Sequence, residues 1–302
     1  MTEFPVSTLR SVDLTVPDLD RAERFYTETW GLALAGRHDG VVYLNATGDD
    51  HHVLALHAGS APAIRSITFR VTGPEMLDGI AERAVRHGGR VLADKGVLGG
   101  PAGGVGLIIG DGQDRVLRFV HGDTRRAADQ PVRDRPTRLS HVNLNSTATD
   151  AATAFFAQVL GFRLSDRTKQ MAFIRCNSDH HAIVFADAPV DGLNHIAFMM
   201  PGLEGVMLGS GRMVDHGFPI GWGVGRHGPG DNVFAYFIDP FGIVLEYTAE
   251  VLQVDDSYIP RGPSDWTWPP GRTDQWGIAP PKADRVKDAQ LAIRFANEAV
   301  VA

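Results

Sequence analysis

Along residues 8–122 short runs of alternating apolar and polar positions are interrupted by two amphipathic stretches, and the same order returns over 138–250. Period-two alternation predicts strands at 11–16, 40–45 and 52–58. Between the first two, Ala22, Phe25 and Tyr26 recur at helical spacing and predict a helix over about 18–29. Asp18 or Asp20 stands near its start as cap and dipole partner, and Gly31 ends it. A second strand–helix–strands pass follows from 64 to 120, with a helix near 76–87 and a stop at Gly88-Gly89. Each unit therefore reads as a pair of βαβββ passes.

The two units are one text written twice. Asp20 to Tyr26 answers to Asp150 to Phe156, and Gly31 to Gly161; Asp50-His51-His52 answers to Asp179-His180-His181. Ile67-Thr68-Phe69 answers to Ile196-Ala197-Phe198, and Val116 to Phe119 to the run Val244 to Tyr247. The offset stays between 128 and 130 residues, which a duplicated unit explains. The expected organisation is an N-terminal domain over 1–122, a linker over 123–137, a C-terminal domain over 138–250 and a tail over 251–302. The linker is rich in Arg and Asp and closed by Pro131 and Pro136. In the tail Tyr258, Trp266, Trp268 and Trp276 alternate with prolines, so an extended aromatic segment is expected over the mouth of a domain or on a neighbouring subunit. Val286, Ala289, Leu291, Ile293 and Phe295 predict a final docking helix over 283–296.

Composition narrows the class. A chain of 302 residues suggests two domains, and 43% hydrophobic with 22% charged residues is ordinary for a globular protein with a sizeable core. A net charge of −7 argues against general affinity for nucleic acid or anionic membrane. No apolar run approaches the ~20 residues of a membrane span. Met1 to Pro5 has no leader pattern, and a lone Cys176 cannot form an internal disulfide, which together fit a cytoplasmic protein.

Three polar residues interrupt apolar strand-like runs: His141 in Leu139 to Leu144, His195 in Leu193 to Phe198, and Glu246 in Val244 to Tyr247. A single His in such a run is more often a hydrogen-bonded core residue than a ligand. The repeat changes that balance, because His141 falls opposite Ser11, His195 opposite Ser66 and Glu246 opposite Arg118. Only the C-terminal unit then carries a donor set, and a buried carboxylate needs a cation or donors to compensate it. Two imidazoles and one carboxylate with open positions suit non-haem Fe(II).

With these residues goes Gly225-Arg226-His227-Gly228-Pro229-Gly230-Asp231-Asn232-Val233-Phe234-Ala235-Tyr236, followed by Asp239-Pro240-Phe241-Gly242. In these motifs the chain resembles the two-domain type I extradiol ring-cleaving dioxygenases of the vicinal oxygen chelate superfamily, the catechol 2,3-dioxygenase and dihydroxybiphenyl dioxygenase group. The resemblance covers about residues 8–250 and implies an α+β fold of tandem paired βαβββ modules forming two cup-shaped mixed sheets. It implies Fe(II), with Mn(II) as the alternative, held by His141, His195 and Glu246. O2 would be the co-substrate and an aromatic diol the substrate, in a homo-oligomer. It assigns His181, His227 and Tyr236 to catalysis, and Asn143, Trp222 and His180 to substrate contact. The pair His180-His181 has an echo in His51-His52, so a structural role stands beside the catalytic one. Likewise Tyr236 also suits a core aromatic, and His227 a brace of a glycine-rich turn.

An Fe(II) ion with two neutral imidazoles and one carboxylate keeps one positive charge, which a catechol monoanion would neutralise. Relatives that cleave carboxylate-bearing catechols carry an Arg five residues before the position of His227; here that residue is Trp222, which predicts a neutral, apolar ring substituent. The alternatives are an Mn(II) dioxygenase or glyoxalase-like isomerase on the same scaffold, and a metal-free ligand-binding protein.

Overall fold

A computed structural model of the chain describes residues 5–297. The first residues, read above for a leader, and the end of the tail lie outside that span. The N-terminal half contributes β1 Val6–Val16, α1 Leu19–Arg24, β2 Ala33–His38, β3 Val41–Asn45, β4 Leu54–Ala58, β5 Ala63–Val71, α2 Met76–Arg86, β6 Arg90–Val97, β7 Val105–Gly110 and β8 Val116–His121. The C-terminal half repeats the order with β9 Arg138–Ser146, α3 Thr149–Leu160, β10 Arg163–Arg167, β11 Met171–Arg175, β12 Ile183–Asp187, β13 Gly192–Met199, α4 Leu203–Asp215, β14 Trp222–Arg226, β15 Val233–Ile238 and β16 Val244–Ala249. Their sheets run β2-β3-β4-β1-β5-β8-β7-β6 and β10-β11-β12-β9-β13-β16-β15-β14, the same topology twice. This is the expected α+β fold of two mixed sheets. No helix among the described residues is long and apolar enough to cross a membrane.

The first helix departs from a single α-helix over 18–29. Asp18 Oδ1 accepts from Arg21 N at 2.9 Å to start α1, but from Phe25 to Trp30 the helix widens into a π-turn before Gly31, whose φ of 92° suits glycine. The widened turn turns Phe25, Tyr26, Thr29 and Trp30 into the interior. Trp30 is fully buried against the other half, its ring stacked 3.8 Å from Tyr247 and edge-on to Phe198. The Tyr247 hydroxyl and Arg212 donate to the Trp30 carbonyl. The two halves thus share one core cluster.

The predicted last helix over 283–296 is shorter. It stops as α5 Asp284–Gln290, and the chain then forms β17 Arg294–Phe295, which pairs parallel to β5. Backbone pairing competes successfully with the apolar helical pattern here: Leu193 N donates to the Ile293 carbonyl at 3.0 Å, and Ala296 N to that of Ile64 at 2.8 Å. Glycine at 192 permits this approach, since a Cβ there would collide with the Ile293 carbonyl oxygen.

Register places the polar residues of the C-terminal sheet. Ala197 on β13 is paired on one side with His141 of β9 and on the other with Glu246 of β16; Tyr236 of β15 pairs with Glu246, and Trp222 of β14 with Tyr236. Paired residues share a face, so these side chains form a row across the concave surface. His195 lies two residues before Ala197 and joins the same face. In the N-terminal sheet the corresponding row is Ser11, Thr68, Arg118 and Ile108.

Candidate metal centre

The row converges on three buried groups. Glu246 Oε2 lies 3.2 Å from His141 Nε2 and 3.0 Å from His195 Nε2, and the two imidazole nitrogens are 3.3 Å apart. Among the described residues this is the one group of three or more His, Cys, Asp or Glu side chains whose donor atoms converge closely enough for a metal ion. Glu246 is completely buried, and apart from these two imidazole nitrogens its Oε2 meets no hydrogen-bonding group among the described residues. A carboxylate oxygen without donors is costly to bury, and two nitrogens aimed at the same point leave a space that a cation satisfies. Burial opposes ionisation of Glu246, but His141 and His195 outweigh it and hold the carboxyl well below its usual range. Burial lowers His195 to about 4 against the pull of Glu246, so this imidazole is neutral. An ionised carboxylate with a neutral imidazole is the protonation state a divalent ion requires, and the residues fit one.

The ligand candidates are themselves held. Asn232 Nδ2 donates to Glu246 Oε1 at 3.3 Å and to Thr248 Oγ1 at 2.7 Å. His195 Nδ1 lies 2.9 Å from Asn194 Oδ1, which fixes the tautomer that turns Nε2 toward the centre. Asn194 Oδ1 also accepts from Gln290 Nε2 at 2.6 Å, so α5 of the tail braces a ligand candidate through one intermediary.

Above the three groups lies a cavity of about 430 Å³. His141, Asn143, His181, His195, His227, Tyr236 and Trp222 line it, so the fold brings together eight of the nine predicted site residues when the buried Glu246 beneath is included. His180 is not on the wall. It is fully buried behind His181, its Nδ1 3.1 Å from His181 Nδ1 and its Nε2 2.9 Å from Asp166 Oδ2. Substrate contact, expected of His180, is therefore replaced by a chain from Asp166 through His180 to His181, to which the tail adds the Tyr258 hydroxyl at 3.1 Å from Asp166 Oδ1. Burial, then His141 and His180, hold His181 well below the ordinary imidazole value.

On the opposite wall His227 Nε2 and the Tyr236 hydroxyl are 3.1 Å apart, and Tyr236 meets the His195 ring edge-on at 4.9 Å. Burial lowers His227 to about 3; burial and the Glu246 carboxylate raise Tyr236 well above its ordinary value, keeping it a hydroxyl donor. His227 also stacks on Phe234 at 3.9 Å, and its backbone N–H closes the glycine-rich turn on Asn232, so it braces the turn and faces the cavity at once. Asn143 turns a buried Oδ1 without a partner toward the space.

The N-terminal cup encloses a smaller cavity of about 150 Å³. Arg118 stands where the other cup has Glu246, and Arg10, also on the wall, donates to Ser11 Oγ at 2.9 Å and to Asp123 Oδ2 at 3.1 Å, beside His52 at 2.7 Å.

A family model described as the Glyoxalase/Bleomycin resistance protein/Dioxygenase superfamily matches residues 8–100 and 138–247, which include all three converging groups. The chain belongs to this superfamily. Within it, the chain groups with the extradiol ring-cleaving dioxygenases. It is 30% identical over 291 residues to metapyrocatechase 2 of Cupriavidus necator, covering 88% of this chain and 87% of the relative. It is 22% identical over 258 residues to a manganese-dependent 2,3-dihydroxybiphenyl 1,2-dioxygenase of Geobacillus genomosp. 3, covering 76% and 80%. The crystal structure of an Mn(II)-bound glyoxalase from Novosphingobium aromaticivorans superposes with a TM-score of 0.88 at 32% identity, covering 93% of this chain and 94% of that one.

Residues that sequence reasoning missed in this extradiol cup fall into two sets. Asn232, Asn194 and Asp166 lie inside the repeat, but uncharged amides and a single Asp carry no spacing signal. Thr273, Lys282 and Gln290 come from the tail and, with Trp266 and Trp268 of the aromatic segment expected over the mouth, close one side of the cavity. The tail has no counterpart in the repeat, so nothing in the sequence registers it against the sheet.

Proposed function

We propose that this chain opens the ring of an aromatic diol beside its hydroxyls, with insertion of both atoms of O2, using a divalent metal held by His141, His195 and Glu246. Fe(II) is the proposed metal, Mn(II) the alternative. The observation that carries the reading is the buried Oε2 of Glu246, facing two imidazole nitrogens and no other hydrogen-bonding group among the described residues, beneath a ring-sized cavity, in one cup of a duplicated fold. When bound there, the metal would gather both diol oxygens and O2 at one centre, a proximity effect worth up to ~7–11 kcal/mol in favourable cases.

The chain's own residues supply the rest. His181, neutral through burial and aligned by His180 and Asp166, takes a proton from a diol hydroxyl and later returns it to the developing oxygen anion. Tyr236, kept protonated, and His227 offer a donor–acceptor pair to the diol oxygens from the other wall. Asn143 presents its free carbonyl oxygen to a hydroxyl. Trp222, Trp266 and Trp268 cover the ring and exclude water. The N-terminal domain is proposed to carry no metal and to act as the scaffold against which Trp30 anchors the catalytic cup. A glyoxalase-like isomerisation is the second reading, favoured by the likeness to the Mn(II)-bound glyoxalase. Oxygen uptake separates the two: metal-loaded protein and a catechol should consume one O2 per ring opened and form a yellow product, whereas an isomerase consumes none. Failure to take up oxygen with any diol on the metal-loaded protein refutes the proposal.

A further inference from the structure

The lining of the 430 Å³ cavity contains two cations, Lys282 and Lys169, and no carboxylate. Lys169 is exposed at the turn between β10 and β11. Lys282 is different: it is half-buried, precedes α5, and makes no ion pair with any described residue. Its Nζ donates one hydrogen bond, to Gln290 Oε1 at 2.9 Å, and stands 4.5 Å from the centroid of the Trp222 ring and 5.7 Å from that of Tyr236. Gln290 is fixed in turn by Asn194, the partner of His195. An ammonium has three donors, and this one spends one of them on a neutral acceptor. Placing an unpaired cation in a partly dry wall is costly; the Trp222 face offsets part of that cost. The Trp222 N–H is directed to Thr273 Oγ1 at 3.4 Å, so the indole offers the cavity its face alone.

Resting on the diol reading, we propose that Lys282 selects a substrate whose ring carries an anionic substituent, a carboxylate on a short side chain, at the end of the cavity walled by Trp222. Trp222 by itself points to a neutral substituent, because the strand position is uncharged. The fold changes that conclusion by laying the ammonium of Lys282 on the indole, so a cation returns to the wall from the tail. Burial, opposed by Glu246, lowers Lys282 to about 8, and a substrate carboxylate beside it favours the charged form. A carboxylate there gains a charge-assisted hydrogen bond, while Lys169 at the mouth adds attraction of the same sign.

The test compares 3,4-dihydroxyphenylacetate with its neutral methyl ester on metal-loaded full-length protein, for wild type, Lys282→Met and Lys282→Arg. Turnover is measured in air, and binding under nitrogen by quenching of tryptophan fluorescence. Wild type should favour the acid in kcat/KM and in affinity. Lys282→Met should lose about 10- to 100-fold on the acid, the scale of a hydrogen bond to a charged group, and far less on the ester. Lys282→Arg should restore the preference, which separates charge from packing. Cleavage of both compounds with the ester preferred, or equal losses on both in Lys282→Met, overturns the proposal and leaves the diol reading standing. If wild type opens neither ring, the diol reading is decided by oxygen uptake with other diols, and fails when none is consumed. The binding arm then still decides the role of Lys282, and equal affinity for acid and ester overturns it.

Discussion

Replacing His181 with Phe is the perturbation that separates proton handling from metal binding. The imidazole packs 4.4 Å from the His141 ring and 5.3 Å from Phe173, so a phenyl ring of similar breadth keeps the wall filled. It is not among the three converging groups, and its Nδ1 is engaged by His180 rather than by Glu246. Metal content and diol affinity should therefore stay near wild type. The loss falls on the step that moves a proton, for which a positioned acid–base group is worth ~10²–10⁴-fold, or about 2.7–5.5 kcal/mol of barrier. The assay is stopped-flow mixing of the anaerobic protein–diol complex with oxygenated buffer, alongside steady-state kcat and KM. Two results would refute the reasoning: full activity, which would make the pair His180-His181 structural like His51-His52, or loss of metal, which would make His181 a ligand.

Trp30→Ala should destabilise the chain by about 3–5 kcal/mol in denaturant unfolding, because it empties the stack on Tyr247 and the contacts to Phe198 at the junction of the halves; a loss below 1 kcal/mol would mean that the halves do not depend on this contact. Acid should destabilise the metal-free protein through His195 and His227, whose folded values near 4 and 3 lie below the unfolded value of 6.5. The unfolded chain takes up protons first as pH falls, so this stability is fully present above about 6.5 and is lost as pH drops toward 4. A melting temperature that rises between pH 7 and 5 would contradict those directions. Asn232→Ala should weaken metal retention by ~10–100-fold, since it frees Glu246 Oε1 and Thr248, and a chelator titration reads the change.

Much of the arrangement was legible because the chain carries its own control. Aligning His141 with Ser11, His195 with Ser66 and Glu246 with Arg118 singled out three positions, and register places them on one face. Period-two alternation also located the strands that bear them. What escaped depends on contacts between distant segments. The π-turn at Phe25–Trp30 forms because Trp30 is drawn into the core shared with Tyr247, information absent from the helix itself. The tail helix ends at Gln290 because Ile293 and Ala296 find backbone partners on Leu193 and Ile64. His180 directly precedes His181, and the structure turns it to Asp166 instead of the cavity. Lys282 and Gln290 reach the site from outside the repeat.

Metal content tests the central claim most directly. After anaerobic loading with Fe(II) and removal of free ion, wild type should hold one ion per chain by elemental analysis, Glu246→Ala should hold none, and a Ser11, Ser66 or Arg118 variant should match wild type, all with unchanged far-ultraviolet circular dichroism. A folded Glu246→Ala protein that keeps its full complement of metal would contradict the account.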